Sequence, residues 1–325
     1  MSHFRGKTVL VTGAGGSIGS VLCQRIAKEG ADELRMLNLT EGGLYNIDRQ
    51  IRALKLPLKA YSVLGSVTDD RLVEELVHKV DIVIHAAAHK HVPICEANPL
   101  AAIENNIGGT HTLGHACMRA NVGQFLLIST DKAVKPSSVM GATKRVAELI
   151  IRDRFVNESE TAFLTVRFGN VMDSAGSVMP LWREQIENGG PVTVTDARCE
   201  RFFMSIPEAV GLITSTLAMK PKSGLFVLDM GKPRNMAELA REMITRHSTR
   251  GSDVEIKFIG LRPGEKLTEE LDYGGTIVPT TVDKVMRVDE PIVRQLMWLD
   301  IHDLLSAAAT RQSQLALAKL WSLVR

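Results

Sequence analysis

A chain of 325 residues, 45% hydrophobic and 23% charged, has the balance of a soluble globular protein, with room for one large or two modest domains. Its net charge of +2, with no long basic run, argues against nucleic acid as a partner. Four cysteines (Cys23, Cys95, Cys117 and Cys199) stand far apart with no C-x-x-C pair, which fits reduced thiols better than a disulfide framework or a zinc site.

The opening MSHFRGKTVLVTGAGG runs directly into a strand pattern, without an apolar leader and cleavage site. The longest apolar stretches, DIVIHAAA and QFLLIST, are too short to cross a bilayer, so a cytoplasmic protein without a membrane segment is expected. KTVLVTGAGG reads as a buried strand ending in a glycine turn, and SVLCQRIAKEG as a helix stopped by glycine. ELRMLNL is a second strand, followed by a helical stretch from Gly43 to Leu54. LKAYSVLGS, DIVIHAAA and QFLLIST are further strands with helices between them. This alternation predicts an α/β fold, a Rossmann-type doubly wound parallel sheet with helices on both faces. From Ala162, FLTVRFGNV continues the pattern; GGPVTV, KPKSGLFVLDMG and GLRPGEK are irregular and rich in Gly and Pro. The expected division is an NAD(P)-binding domain over residues 1–168 and a smaller, mainly substrate-binding lobe over 169–325, with later strands returning to the sheet.

VLVTGAGGSIGS sets Gly13, Gly16 and Gly19 three residues apart directly behind the first strand. Glycine lets the backbone approach a pyrophosphate closely. The helix opening at Ser17 and Ile18 offers that anion free N–H groups and a positive dipole end. NAD or NADP is the cofactor this pattern predicts. The second strand ends at Asn38, where an Asp commonly reads the adenosine ribose. An amide binds ribose hydroxyls without repelling a 2′-phosphate, yet Leu39 and Thr40 bring no cation for one, so both cofactors stay open. In GSVTD, Ser66 and Val67 stand where relatives hold adenine with an Asp–Val pair.

The segment STDKAVKPSSVMGATK, residues 129–144, resembles the catalytic stretch of short-chain dehydrogenases/reductases, where the tyrosine of Tyr-x-x-x-Lys exchanges a proton with a substrate hydroxyl. Here the motif is Met140-x-x-x-Lys144, and a thioether carries no proton. Tyr45, Tyr61 and Tyr273 all lie away from Lys144 in the motif, so a shifted register does not restore the phenol.

Six ordered stretches point further: TGAGGSIGS, HAAAHKHVPICEANPLAAIENN, STDKAVKPSSVMGATKRVAE, RFGNV with GSVMPLWREQIENGGPVTVTD, RFFMSIPEA and GLRPGEKLTEEL. Together they resemble the catalytic domain of bacterial UDP-N-acetylglucosamine 4,6-dehydratases of the CapD type, over almost the whole chain. Larger members of that family carry a membrane part, and the resemblance leads one to expect that this chain corresponds to the short, soluble form. The resemblance implies hydride removal from C4 of the sugar, loss of water across C5 and C6, and hydride return to C6. It implies that Asp131 accepts the O4 proton in place of the tyrosine and passes it to the C6 hydroxyl, while a neutral Lys132 takes the C5 proton. Burial and like charge on Lys144 are expected to lower the pKa of Lys132, with Asp131 pulling the other way. Thr130 would orient O4, Lys144 would bond the nicotinamide ribose, Met140 would form an apolar wall, and Ala86 and Ala87 would lie beside the cofactor.

For the UDP-sugar, the resemblance implies Arg201 and Arg262 near the diphosphate, Asn170 as a contacting amide, and Val192 in VTVTD beside uracil. Glu265 joins this set, with a partly exposed surface pair of Glu265 and Lys266 as the other reading. Lys90, at a strand end facing the crevice, is balanced between substrate binding and a structural role. No metal is expected: His85, His89 and His91 lack the carboxylates or cysteines to complete a ligand set, and His111 and His115 are read as a helix face. The helices in AAIENNIGGTHTLGHACMRAN and MGATKRVAELIIRDRF have the apolar stripes of packed helices. Relatives use this pair as a dimer interface, so a homodimer or larger homo-oligomer is expected. The competing readings are a UDP-HexNAc 4-epimerase, a dehydratase that inverts C5, and an inactive NAD(P)-binding sensor.

Overall fold

The computed structural model describes residues 2–247, 254–271, 274–290 and 295–324, apart from the side chains of Arg154 and Asn157; Tyr273 lies outside the described residues. The first half alternates as read: β1 (Thr8–Thr12), α1 (Ser17–Lys28), β2 (Glu33–Asn38), α2 (Glu41–Ala53), β3 (Lys59–Leu64), α3 (Asp70–Val77) and β4 (Ile82–His85). The short α4 (Val92–Ala97) and α5 (Pro99–Ala102) lead through a π-wound turn, Ile103–Gly108, into α6 (Gly109–Arg119). Then come β5 (Gln124–Ile128), α7 (Val139–Ile150), α8 (Val156–Glu158) and β6 (Ala162–Arg167).

The second half is more broken. It supplies β7 (Asn170–Val171), α9 (Val178–Glu187), β8 (Val192–Val194), β9 (Glu200–Arg201), β10 (Phe203–Met204), α10 (Ile206–Ala218) and β11 (Gly224–Leu228). After these come β12 (Arg234–Asn235), α11 (Met236–His247), β13 (Ile256–Phe258), β14 (Thr276–Pro279), β15 (Val285–Asp289), α12 (Trp298–Ala309) and α13 (Ser313–Val324).

The main sheet has the order β14-β15-β11-β6-β5-β4-β1-β2-β3. It is parallel from β11 to β3, and β15 and β14 add an antiparallel edge. Strands buried from both sides read as continuous apolar runs, which is why IVIH in β4 is buried at every position. One core layer packs α3, α6, α7, α12 and α13 on one face, through residues such as Val73, Leu113, Ile150, Leu304 and Leu320. The other face carries α1, α2 and α10 through Leu22, Ile47 and Ile213. A third cluster, around Trp182, Val192 and Leu239, forms the small lobe of α9, β8 and α11.

The span 169–325 is therefore not all lobe. β11, β14 and β15 return to the sheet, and the hairpin α12–α13 packs on the first domain against α7 and the π-wound turn. That hairpin bears on the expected partner surface: every residue of α7 is buried within the single chain, and α13 packs against that helix. No described helix is long and apolar enough to cross a membrane.

Candidate functional site

In a parallel sheet the crevice for ligands opens at the carboxyl ends of the strands, where the winding reverses. Here that reversal falls between β1 and β4, and the loops after β1, β4, β5 and β6 carry the residues singled out by sequence. After β1, Gly13 has φ +66°, and a Cβ there would stand 2.7 Å from the Ala87 nitrogen. A Cβ at Gly19 would stand 2.1 Å from the Gly13 carbonyl oxygen. Ala86 and Ala87 thus form the wall against which the loop closes. Gly16 caps α1 with no side chain to bond its first N–H groups, so these donors are left for a ligand anion. The cradle fits a dinucleotide pyrophosphate. Ser17 accepts a hydrogen bond from the Ala175 amide at 2.9 Å, and Ile18 packs partly buried into the core.

Asn38, at the end of β2, bonds within the glycine loop. Its Oδ1 accepts from the Gly15 amide at 3.1 Å, while its Nδ2 donates to the Thr40 carbonyl and hydroxyl at 2.8 and 3.0 Å. The amide braces the glycine loop with both ends engaged. Ser66 accepts from the Thr68 amide, and Val67 is buried against Gly109. His85 is pinned between Thr12 at 2.7 Å and Thr110 at 3.1 Å, and burial pushes its pKa down to about 3. Among the described residues no cluster of His, Cys, Asp or Glu is placed to hold a metal ion.

Lys144 and Met140 share the first turns of α7, and both are buried. Burial lowers the Lys144 pKa to about 8, and its ammonium makes no hydrogen bond among the described residues. Ser138 caps the helix through the Gly141 amide at 3.0 Å, which fixes where Met140 and Lys144 emerge.

After β5, Thr130, Asp131 and Lys132 form a tight cluster. Asp131 Oδ1 accepts from the Thr130 hydroxyl at 2.9 Å and from Lys132 Nζ at 3.0 Å. Lys132 Nζ also donates to Asn170 Oδ1 at 3.0 Å and lies 3.6 Å from Glu269 Oε1. Asp131 is fully buried and outside the cavity wall, and its Oδ2, beside Gly169, has no hydrogen-bond partner among the described residues. One expectation needs correction. Lys132 is not lowered in pKa: burial does push it down, but the charges of Asp131 and Glu269 outweigh burial and hold the amine above its usual value.

Lys132 opens into a cavity of about 230 Å³ between the sheet and the lobe, walled by Asn170, Trp182, Thr193, Arg201, Arg262 and Glu265 among others. Arg262 is exposed, and its amide is held by Glu265 Oε2 at 3.2 Å. Arg201 lines the same wall, but its guanidinium donates to the carbonyls of Glu200, Lys266 and Leu267 at 2.7 to 2.9 Å. It therefore fastens the loop of residues 262–270 as well as presenting charge. Val192 does not reach the cavity: it is fully buried in the lobe core, and its amide is used by the Glu255 carbonyl. Lys90 is turned away as well, donating to the Ala175 carbonyl at 2.8 Å.

Two wall features were missed by sequence reading. Ser177, the first residue before α9, lines the cavity with a buried hydroxyl that has no hydrogen-bond partner among the described residues, beside the N–H groups of that helix's first turn. Glu269 is buried in the wall next to Lys132, with Oε2 4.0 Å from Lys266 Nζ and without a hydrogen-bond partner among the described residues. Nothing in GEKLTEEL separates Glu269 from its neighbour Glu270, which is exposed.

The ordered sheet, the glycine cradle and the catalytic-segment geometry define a protein of the Rossmann-type α/β class. Comparison with known proteins then places it: the chain belongs to the polysaccharide biosynthesis protein family, whose profile matches residues 9–290. It is 45% identical to the capsular polysaccharide biosynthesis protein CapD of Staphylococcus aureus over 86% of this chain and 48% of CapD. The chain thus spans about half the length of that relative. A UDP-glucose 4-epimerase of Rickettsia canadensis is 35% identical over 82% of this chain and 78% of its own. Among solved structures, Pen from Bacillus thuringiensis superposes with a TM-score of 0.79 at 31% identity, covering 90% of each chain.

Proposed function

We propose that this chain is a nucleotide-sugar 4,6-dehydratase, acting on UDP-N-acetylglucosamine or a close UDP-HexNAc. The observation that carries the reading is the ammonium of Lys132 held against the Asp131 carboxylate at the edge of the cavity. A hydride-transfer enzyme that only epimerises needs one proton acceptor at O4. Elimination needs in addition a base at C5 and an acid at C6. A carboxyl and an amine in direct contact meet that larger demand.

NAD or NADP, seated on the Gly13–Gly19 cradle, would supply the chemistry of taking hydride from C4 and giving it back at C6. Lys144 would bond its nicotinamide ribose, and Met140 would close the apolar side. The O4 proton passes into the Asp131–Lys132 pair, directly or by way of the Thr130 hydroxyl. Lys132, once neutral, removes the C5 proton made acidic by the ketone, and later returns it. The diphosphate of the sugar nucleotide is an anion suited to Arg262, Arg201 and the N-terminus of α9 at Ser177.

The test is product NMR after incubation in D₂O with UDP-N-acetylglucosamine and NAD or NADP. The expected product has a C6 methyl group and deuterium at C5. Asp131→Asn and Lys132→Met should each slow its formation by about 100-fold or more. Interconversion of C4 epimers with no methyl signal would favour the epimerase instead, in line with the Rickettsia relative's name. Inertness with every UDP-sugar tried would favour a sensor.

A further inference from the structure

We propose that Glu148 is a positioning residue that keeps Lys144 and the Asp131–Lys132 pair in register, through its bond to Ser129 and through its own charge. The inference rests on the dehydratase reading and names a residue that serves it from beneath the cavity.

Glu148 stands four residues after Lys144 in α7, so the two side chains share one face a turn apart. It is buried and outside the cavity wall. Its Oε1 accepts from the Ser129 hydroxyl and from Arg167 Nε, and its Oε2 accepts from Arg167 Nη2 and Arg145 Nη1. Ser129 is the link toward the catalytic segment. It follows β5 directly and precedes Thr130, Asp131 and Lys132 in the chain. Its amide donates to the Val166 carbonyl of β6 at 2.7 Å, and its hydroxyl donates to Glu148 at 2.6 Å. One carboxylate therefore ties the ends of β5 and β6 to α7, the elements that lead to Lys132, Asn170 and Lys144.

Charge balance alone does not call for that hydroxyl. Arg145 and Arg167 face Glu148 and Glu290, two cations against two anions, and would do so with alanine at 129. What the hydroxyl adds is a fixed height of residues 130–132 against the turn that carries Lys144. A misplacement of about 1 Å among reacting groups costs about 100-fold in rate, so that height matters to the chemistry.

The charge acts on the cofactor side. Burial lowers the Lys144 pKa and the Glu148 carboxylate raises it, which leaves about 8. His85, acting on Lys144 from β4, is neutral at working pH because burial holds it at about 3. Burial would raise Glu148 itself, but Arg167 and Arg145 hold it at about 2, so its charge is constant while Lys144 titrates. Without that carboxylate the ammonium of Lys144 would be lost at a lower pH.

The experiment uses the full chain as Ser129→Ala, Glu148→Gln and Glu290→Gln. It reads dinucleotide affinity across the pH range in which Lys144 titrates, and the kcat and KM of methyl-product formation from UDP-N-acetylglucosamine at saturating dinucleotide. Ser129→Ala keeps every charge; it should lower kcat about tenfold or more, with KM within about threefold and the pH midpoint of dinucleotide binding unchanged. Glu148→Gln, whose amide oxygen still accepts from Ser129, should move that midpoint down by at least about half a pH unit and hold kcat within about threefold of wild type. Glu290→Gln removes a charge from the same cluster; it should lower stability and leave both readouts as in wild type. A merely structural cluster would move the readouts together in all three variants, and that result overturns the assignment. So does a wild-type kcat in Ser129→Ala, or a wild-type midpoint in Glu148→Gln. Should Glu148→Gln fail to fold, Ser129→Ala against Glu290→Gln still decides. Wild type that forms no methyl product sinks the dehydratase reading and the Ser129 link with it, while the midpoints still decide whether Glu148 sets the charge of Lys144.

Discussion

Lys144 holds an ammonium where burial disfavours charge, and the resulting pKa of about 8 gives a direct test of the cofactor role proposed for it. The sign follows from which form binds. In the proposed role the ammonium would donate charge-assisted hydrogen bonds to ribose hydroxyls, and that form is lost as pH rises through about 8. Dinucleotide affinity, measured by calorimetry or fluorescence titration without sugar, should therefore weaken between pH 7 and 9. In Lys144→Met the affinity should be lower by roughly 10- to 100-fold at pH 7 and nearly flat across the same range. Lys144 and Lys132 were both legible as motif residues, but their charge states were not. The sequence expectation placed a lowered pKa on Lys132, whereas the fold sets two carboxylates beside that amine and leaves Lys144 the depressed one. Glu269 was illegible for the same reason: only the tertiary path of the loop 262–270, tied down by Arg201, brings it to Lys132.

At the scale of elements, the catalytic segment is anchored from below by a buried ionic cluster. Glu148 of α7 accepts from Ser129 at 2.6 Å, from Arg167 at the end of β6 at 2.5 and 2.8 Å, and from Arg145 at 3.1 Å. Both arginines also reach Glu290, just past β15, at 2.5 and 2.7 Å. Removing one member leaves the others charged and buried, so Glu148→Leu should cost about 3–5 kcal/mol in denaturant unfolding. Despite burial, the paired arginines depress the Glu148 pKa to about 2. A depressed acid stabilises the fold above its unfolded value near 4.3, and that stabilisation fades as pH falls toward about 2. Wild type should lose stability across this window, and Glu148→Leu should lose less of it.

The glycine cradle is the other anchored element. Gly19→Ala sets a Cβ 2.1 Å from a backbone oxygen, a contact that no rotamer relieves. The loop must move, and dinucleotide affinity should fall at least about tenfold, because in the proposed role those backbone donors would hold the pyrophosphate. These elements were readable because strand runs, glycine spacing and a helix start are local signals. The short pairs β7–β10, β8–β13 and β9–β12 that shape the cavity were not, since each joins distant two- or three-residue segments with no periodicity of their own.

For the whole molecule, the decisive feature is how the chain finishes its own helical layer. Sequence reading gave α6 and α7 apolar stripes and expected a second subunit to cover them. Within the chain, α12 and α13 lie over α7 and the π-wound turn, and Leu304 and Leu320 are fully buried there. Amphipathic periodicity says that a face is covered, but not by which chain, so this point was beyond the sequence. The two arrangements differ in how stability depends on concentration. A face covered from within the chain contributes equally at any dilution, whereas a face covered by a partner loses stability on dilution. Leu304→Ala and Leu320→Ala should each cost about 2–5 kcal/mol, the range for emptying a buried leucine site. For both variants and for wild type, the unfolding midpoint should be unchanged over a hundredfold range of protein concentration. A midpoint that climbs with concentration, and a leucine penalty that grows on dilution, would mean that the hairpin does not complete this layer alone and that a second copy contributes to it.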